Sequence, residues 1–282
     1  MGQWRGFGAL YRYLKLFLEE HGYRVHLGAW CDVYKGSRHV ADIVVGHWAF
    51  VRPPRRGVKS IWWATTEGRV HPRAREWHRG WDYIFAQTKY VQRRLEEVGI
   101  HSEVVYGCTD TRLFRPMNVP KLVDVLSVGI WEGPFDDRKF MQKVVEVAWP
   151  YSVHVHTRSC ARYEDLPLLY NQARVYLSLS GCEGFNIPVL EAMACGLPIV
   201  YNKAPPLDEF AVGVGVPPAR VEDPLGIPAY NIHYPDFARI REELHKLLQD
   251  PRRMRRLGEQ ARRRALEFDY RRTLRRFLEV LE

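Results

Sequence analysis

Apolar residues recur every third or fourth position near the start of the chain. Leu10, Tyr13, Leu14, Phe17 and Leu18 share one face, which predicts an amphipathic helix with Gly22 as its stop signal. The pattern then shortens. "RVHLGAW", "ADIVVGHWAF", "KSIWWATTE" and "WDYIFAQT" are brief apolar runs of the kind that form buried strands. A helical pattern returns in "KYVQRRLEEVG", and "SEVVYG" reads as one more short strand. Strands alternating with helices predict a parallel sheet covered by helices on both faces.

The polar stretch "DTRLFRPMNVPK", with its two prolines, reads as a linker. The alternation then restarts. Strands are expected at "VDVLSVGIW", "SVHVHT", "RVYLSLS" and "LPIVYN", and helices at "DRKFMQKVVEVA", "LPLLYNQA" and "PVLEAMACG". The tail is helical, with apolar stripes at Leu244, Leu247 and Leu248, then Met254, Leu257 and Ala261, then Leu274, Phe277, Leu278 and Leu281. The expected fold is α/β, with two tandem doubly wound, Rossmann-like domains facing a cleft. Their expected extents are 1–115 and 116–268, with a closing helix over 269–282. Ligands of such folds sit just past the carboxyl ends of the strands.

Composition changes little in this picture. A chain of 282 residues, 46% hydrophobic and 27% charged, suits one large or two ordinary globular domains. No apolar run reaches the ~18 residues that span a bilayer. The first residues lack the apolar core and small-residue cleavage site of a signal peptide, so a cytoplasmic location is expected. The five cysteines form no C-x-x-C pair and read as reduced, mostly buried thiols. The net charge of +9, carried mainly by arginine, favours anionic partners and equally fits a charge-rich, thermophilic surface. The runs "RRMRR" and "RRR" share a helix with a clear apolar stripe and read as its solvated face.

Candidate chemistry gathers in "GCEGFNIPVLEAMACGLPIV", residues 181–200. A strand ends before it, Gly184 lets the backbone approach a ligand, and Pro188 suits the start of a helix. The N–H groups of Phe185, Asn186 and Ile187 would then face the cleft, with roughly half a positive charge at the helix end. That end can hold a phosphate. Glu183 can accept from sugar hydroxyls above it, and Glu191 from a vicinal diol. A nucleotide sugar supplies hydroxyls, phosphate and diol in that order. A glutamate at Glu191 also simply complements the helix dipole.

The same block, "EGFNIPVLEAMACGLPIV", resembles the Glu-x7-Glu signature of the retaining glycosyltransferases of family 4, which have the GT-B fold. "DIVVGHW", "DYIFAQTKYVQRRLEEVGI", "VVYGCTDTRLFRP" and "DLPLLYNQARVYLSLSGCEGF" are similar to further family segments in the same order, and the closing helices resemble the family's last ones, which implies that 269–282 packs back on the first domain. The resemblance implies transfer of a sugar from a UDP- or GDP-sugar to an acceptor hydroxyl, with retention and without a metal or other cofactor. Glu183 matches the donor-sugar glutamate and Glu191 the ribose glutamate. Gly184, Phe185, Asn186 and Ile187 match the loop that faces sugar and phosphate. His47 matches a histidine of the catalytic centre, and the alternative for it is a core histidine at a strand end. Arg138 and Lys139 resemble the family's diphosphate clamp, displaced downstream because Ile130 stands at the usual arginine position. The alternative for them is a solvated helix start. Gly6 and Gly8 resemble the first-domain glycine loop.

The sequence departs from the family in starting almost at that loop, so the first sheet is expected to lack its usual first strand. "APPLDEF" lacks the glycines usual there, while Glu209 fits a family acidic position. No D-x-D motif occurs to hold a divalent ion, so cationic side chains and helix-end amides are expected to offset the leaving diphosphate. Arg52, Arg55, Arg56, Arg69, His71, Arg73 and Arg75 follow first-half strands and would suit an anionic or lipid-linked acceptor, with peripheral contact at the inner face of a membrane. They read equally well as an arginine-rich surface loop. Two other readings stay open. One is a catalytically degenerate nucleotide-sugar binder. The other, less favoured because no nucleic-acid motif is present, is a nucleic-acid-binding protein.

Overall fold

The computed structural model describes residues 7–25, 43–46, 59–65, 70, 73–129, 137–157, 162–223 and 231–282. Helix α1 (Phe7–Glu20) buries the stripe read from the sequence. It stops where the amide of Tyr23 turns back to the carbonyl of Leu18 at 3.0 Å, with Gly22 at φ 88°. Strands β1 (Ile43–Gly46) and β2 (Lys59–Ala64) follow, then a short helix α2 (Ala74–Trp77), β3 (Tyr83–Ala86), α3 (Lys89–Glu96) and β4 (Glu103–Val104). The sheet order is β1-β2-β3-β4 and every pairing is parallel. Ser60 to Ala64 of β2 are all buried, as expected of a parallel strand covered on both faces.

The second sheet begins with β5 (Val123–Val128), α4 (Val144–Ala148), β6 (Val153–His156), α5 (Leu166–Asn171) and β7 (Ala173–Ser178). It continues with α6 (Ile187–Ala194), β8 (Ile199–Asn202), α7 (Leu207–Phe210) and β9 (Val214–Val216). Its order is β6-β5-β7-β8-β9, again wholly parallel. A two-stranded antiparallel ribbon, β10 (Arg220–Glu222) and β11 (Ile232–Tyr234), leads to the tail helices. These are α8 (Phe237–Leu248), α9 (Pro251–Ala265), α10 (Tyr270–Thr273) and α11 (Arg275–Leu281). The α/β architecture of two parallel, helix-covered sheets is the one expected.

Several elements differ in detail. "RVHLGAW" falls mostly outside the described residues. "SEVVYG" contributes only the two residues of β4 to the sheet. The helix expected over "DRKFMQKVVEVA" is broken. Two single 3-10 turns, Asp137–Lys139 and Met141–Lys143, flank Phe140 at φ 48° before α4 begins. The segment read as a polar linker is tightly held, with Thr111 and Phe114 buried. Arg262 of α9 donates to the carbonyl oxygens of Thr111 and Phe114 at 3.0 and 2.9 Å.

One core runs through both sheets. It joins α1, Ile61 and Trp63 of β2, Phe85 of β3, the apolar residues of α6, and Phe268 to Leu281 of the tail. Phe277 meets Trp63 and Phe85 edge-on at 5.3 and 5.1 Å. Tyr270 stacks on Tyr13 at 5.4 Å. Lys59 of β2 donates to the last carbonyls of α11, Val280 at 2.8 Å and Leu281 at 3.1 Å. Residues 269–282 therefore lie against the first sheet, although they follow the second in sequence.

Candidate functional site

The loop between β7 and α6 crosses the carboxyl edge of the second sheet, the place the parallel topology reserves for ligands. Its turn is made by Asn186, which adopts a left-handed backbone at φ 84°. The Asn186 Oδ1 accepts from the Val189 amide at 3.3 Å and so caps α6. Pro188 sits in the first turn, where a missing N–H costs nothing. Among the described residues the amides of Phe185, Asn186 and Ile187 make no backbone hydrogen bond. They are the donors that a helix end offers to an anion.

Glu183 is buried on this loop and held from four sides. Lys139 Nζ lies 2.9 Å from Oε1 and Arg138 3.7 Å from Oε2. Ser180 Oγ and Asn186 Nδ2 donate to Oε1 at 2.7 and 3.1 Å. Burial alone would raise the carboxyl's pKa. The charges of Lys139 and Arg138 and the hydrogen bonds outweigh it and hold the pKa below the usual carboxylate value. Glu183, Lys139, Ser180 and Asn186 line a small pocket with Ser127, Met141 and Tyr176.

Phe185 points away from that pocket. Its ring stacks on Phe210 at 4.5 Å, and a Cβ at Gly107 would sit 2.6 Å from it. The glycine thus lets the first half close over the loop. Thr88 adds a hydrogen bond from its hydroxyl to the Gly184 carbonyl at 3.3 Å. Glu209, from α7, accepts from the amides of Lys89 and Tyr90 at the start of α3, at 2.9 and 2.5 Å.

Glu191 is placed differently from Glu183. It lies in the second turn of α6, wholly buried, and does not line the same pocket. Tyr163 donates to one oxygen and Tyr170 to the other, the latter at 2.7 Å. Burial lifts this carboxyl to a pKa of about 7, against the lowering effect of the two phenols. Tyr163 in turn meets the hydroxyl of Tyr13 on α1 at 2.7 Å, and Tyr13 meets Thr109 at 3.3 Å.

The structure thus brings together Glu183, Gly184, Phe185, Asn186, Ile187, Arg138 and Lys139. It sets Glu191 behind them. Gly8 lies in the first turn of α1, not in a loop. His47, Gly6, Ile130, Arg52, Arg55, Arg56, Arg69 and His71 lie outside the described residues, and Arg73 pairs with Glu76 at the surface. Sequence reasoning missed Ser180, Tyr163 and Tyr170. Only the seven-residue spacing of the two tyrosines, across a 3-10 turn and α5, linked them in the chain. Cys108, Cys182 and Cys195 are buried and form no disulfide among the described residues, as expected. Among the described residues no helix is long and apolar enough to cross a membrane.

Known proteins resemble this chain in sequence and in fold. The MMP alpha-(1->4)-mannosyltransferase of Mycolicibacterium hassiacum is 40% identical over 113 residues, covering 40% of this chain and 25% of that protein. O-antigen chain mannosyltransferase B of Escherichia coli is 41% identical over 70 residues, covering 25% of this chain and 17% of that protein. The matched stretches thus span a quarter or less of these relatives. Sucrose-phosphate synthase from Thermosynechococcus elongatus superposes on 100% of this chain and 79% of its own, with TM-score 0.65 and 15% identity. Anabaena HepE, solved in complex with UDP and glucose, covers 98% of this chain and 84% of its own, with TM-score 0.61 and 13% identity. These likenesses establish the GT-B arrangement of the two sheets. Residues 112–279, from the linker through the second sheet into the last helix, match the family model described as Glycosyl transferase-like, and the chain belongs to that family.

Proposed function

We propose that the protein is a retaining glycosyltransferase of family 4 that moves a sugar from a nucleotide-sugar donor to an acceptor hydroxyl. The observation that carries this is the buried Glu183–Lys139–Arg138 cluster beside the open N–H groups of α6. The two mannosyltransferase relatives and the UDP and glucose bound by Anabaena HepE support a nucleotide sugar as donor.

In this reading the donor diphosphate takes over Lys139, Arg138 and the amides of Phe185, Asn186 and Ile187. Those groups are aimed where negative charge grows as the bond breaks, and they need no metal to do so. Glu183, released from its ion pair, accepts from the sugar hydroxyls and supports positive charge near the ring. Glu191 holds the ribose diol. The bond from the anomeric carbon to phosphate breaks, and the bond to the acceptor oxygen forms on the same face. The acceptor's proton passes to the departing phosphate, so no protein nucleophile is required. His47 belongs on the acceptor side, and an anionic or lipid-linked acceptor at a membrane's inner face agrees with the charge of +9.

Ile130 at the usual arginine position favours a second reading, a nucleotide-sugar binder without turnover. A thermal-shift screen of UDP-, GDP- and ADP-sugars, followed by product analysis, separates the two. Binding should raise stability by about 2.7 kcal/mol at a hundredfold excess over Kd. Donor turnover should be measurable and fall at least ~100-fold in Glu183→Ala. Binding with no turnover in the wild type establishes the second reading, and no binding of any donor removes both.

A further inference from the structure

Glu191 is buried and both of its oxygens already accept from phenols, so a ribose reaches this carboxylate only past one of them. One oxygen is taken by Tyr163 and the other by Tyr170. The two phenols differ in what else holds them. Tyr170 is wholly buried on α5, edge-on to Phe114 at 5.8 Å. Tyr163 also meets Phe114 edge-on, at 5.4 Å, but lies in a single 3-10 turn, Tyr163–Asp165, is only partly buried, and is gripped from α1. Its hydroxyl meets Tyr13 of α1 at 2.7 Å. Arg12 lies 5.6 Å over its ring and pairs with its neighbour Glu164. A phenol on a carboxylate oxygen offers the same O–H donor as a sugar hydroxyl.

We propose that the Tyr163 phenol is an internal stand-in for a ribose hydroxyl, so that nucleotide binding turns it out of Glu191 and releases the hold of α1 on residues 163–164. The proposal rests on the reading of Glu191 as the ribose ligand. It makes Tyr163 a determinant of donor affinity and links occupancy of the second half to contact with the first. The exchange is one hydrogen bond for another, which keeps the buried carboxylate satisfied in both states.

The test is calorimetric titration of UDP and of GDP into the wild type, Tyr163→Phe and Tyr13→Phe, with the melting temperature of each protein recorded alongside. Tyr163→Phe leaves one oxygen of Glu191 unpaired until nucleotide arrives, so Kd should fall about fivefold even as the free protein loses stability. Tyr13→Phe, which loosens Tyr163 and also removes the contact with Thr109, should shift Kd the same way by less. It carries the test alone if the first variant does not fold. Tighter binding from a less stable protein is not what a merely structural tyrosine gives. Equal Kd values in all three proteins, or weaker binding by the variants, overturn the proposal while leaving the donor site intact. No nucleotide binding by any of the three overturns the reading of the site itself.

Discussion

Glu183 and Glu191 stand eight positions apart and have opposite electrostatic surroundings. Glu183 is buried against two cations, so its charge is compensated. Glu191 is buried against two neutral phenols, so its charge is not. The second arrangement fixes the sign of a pH effect. In the unfolded chain Glu191 titrates at the ordinary value of 4.5, whereas in the fold it titrates at about 7. Between those values the fold keeps a proton that the unfolded chain has lost. The contribution of this residue to stability is therefore greatest below the unfolded value. It declines as pH rises toward 7 and is level above that. Glu191→Gln should remove that slope. Relative to wild type, the variant should gain about 2–3 kcal/mol between pH 4.5 and pH 8, read from chemical denaturation at each pH. An unchanged difference across that range would place the charge of Glu191 elsewhere. The two acids were legible in the sequence because they lie on one motif, and the basic pair through its resemblance to the family's clamp. The tyrosines were not, because Tyr170 reaches Glu191 only through the packing of α5 against α6, and Tyr163 from the 3-10 turn that precedes α5.

At the scale of elements, the long periodic helices α1, α8 and α9 and the buried strands β2, β5, β7 and β8 were legible from spacing alone. The helices α2 and α7 and the ribbon β10–β11 were not, since three or four residues carry no period. The break at Phe140 was missed for a related reason. A helical pattern over "DRKFMQKVVEVA" does not reveal that the main chain turns there to bring Arg138 and Lys139 onto Glu183. The small-residue run "EAMACG" acquires its reason from packing. Helix α9 crosses α6 so closely that a Cβ at Gly258 would lie 2.3 Å from the Gly196 carbonyl oxygen. Backbone cannot yield as a side-chain tip can. Gly258→Ala should therefore destabilise the protein by about 2–3 kcal/mol in urea denaturation. It should also weaken nucleotide binding indirectly, because α6 carries the site. A variant as stable as wild type would mean that the two helices can slide apart.

At the scale of the molecule, the two sheets were anticipated, and the family resemblance also implied that 269–282 packs back on the first half; the residues that make the union were not anticipated. The sequence alternation implied two units joined by a polar segment. In the structure that segment is anchored by the buried Thr111 and Phe114 although most of it is exposed, and one core cluster runs through both halves. Phe277 illustrates why such a union escapes a local reading. Its stripe on α11 was visible, yet its partners Trp63 and Phe85 lie about two hundred residues earlier. Phe277→Ala should cost about 3–5 kcal/mol. Because the cavity would open between segments from both ends of the described chain, unfolding should stay a single transition, followed by far-UV and near-UV circular dichroism together. Two separated transitions would show that the halves unfold independently.

The lysine at the head of β2 carries this further. By donating to the carbonyls of Val280 and Leu281, it fastens the closing turn of α11 to a strand from which most of the sequence separates it. A polypeptide nicked by protease between its two sheets therefore keeps its pieces, since the severed C-terminal portion remains docked as a non-covalent splint on the N-terminal one.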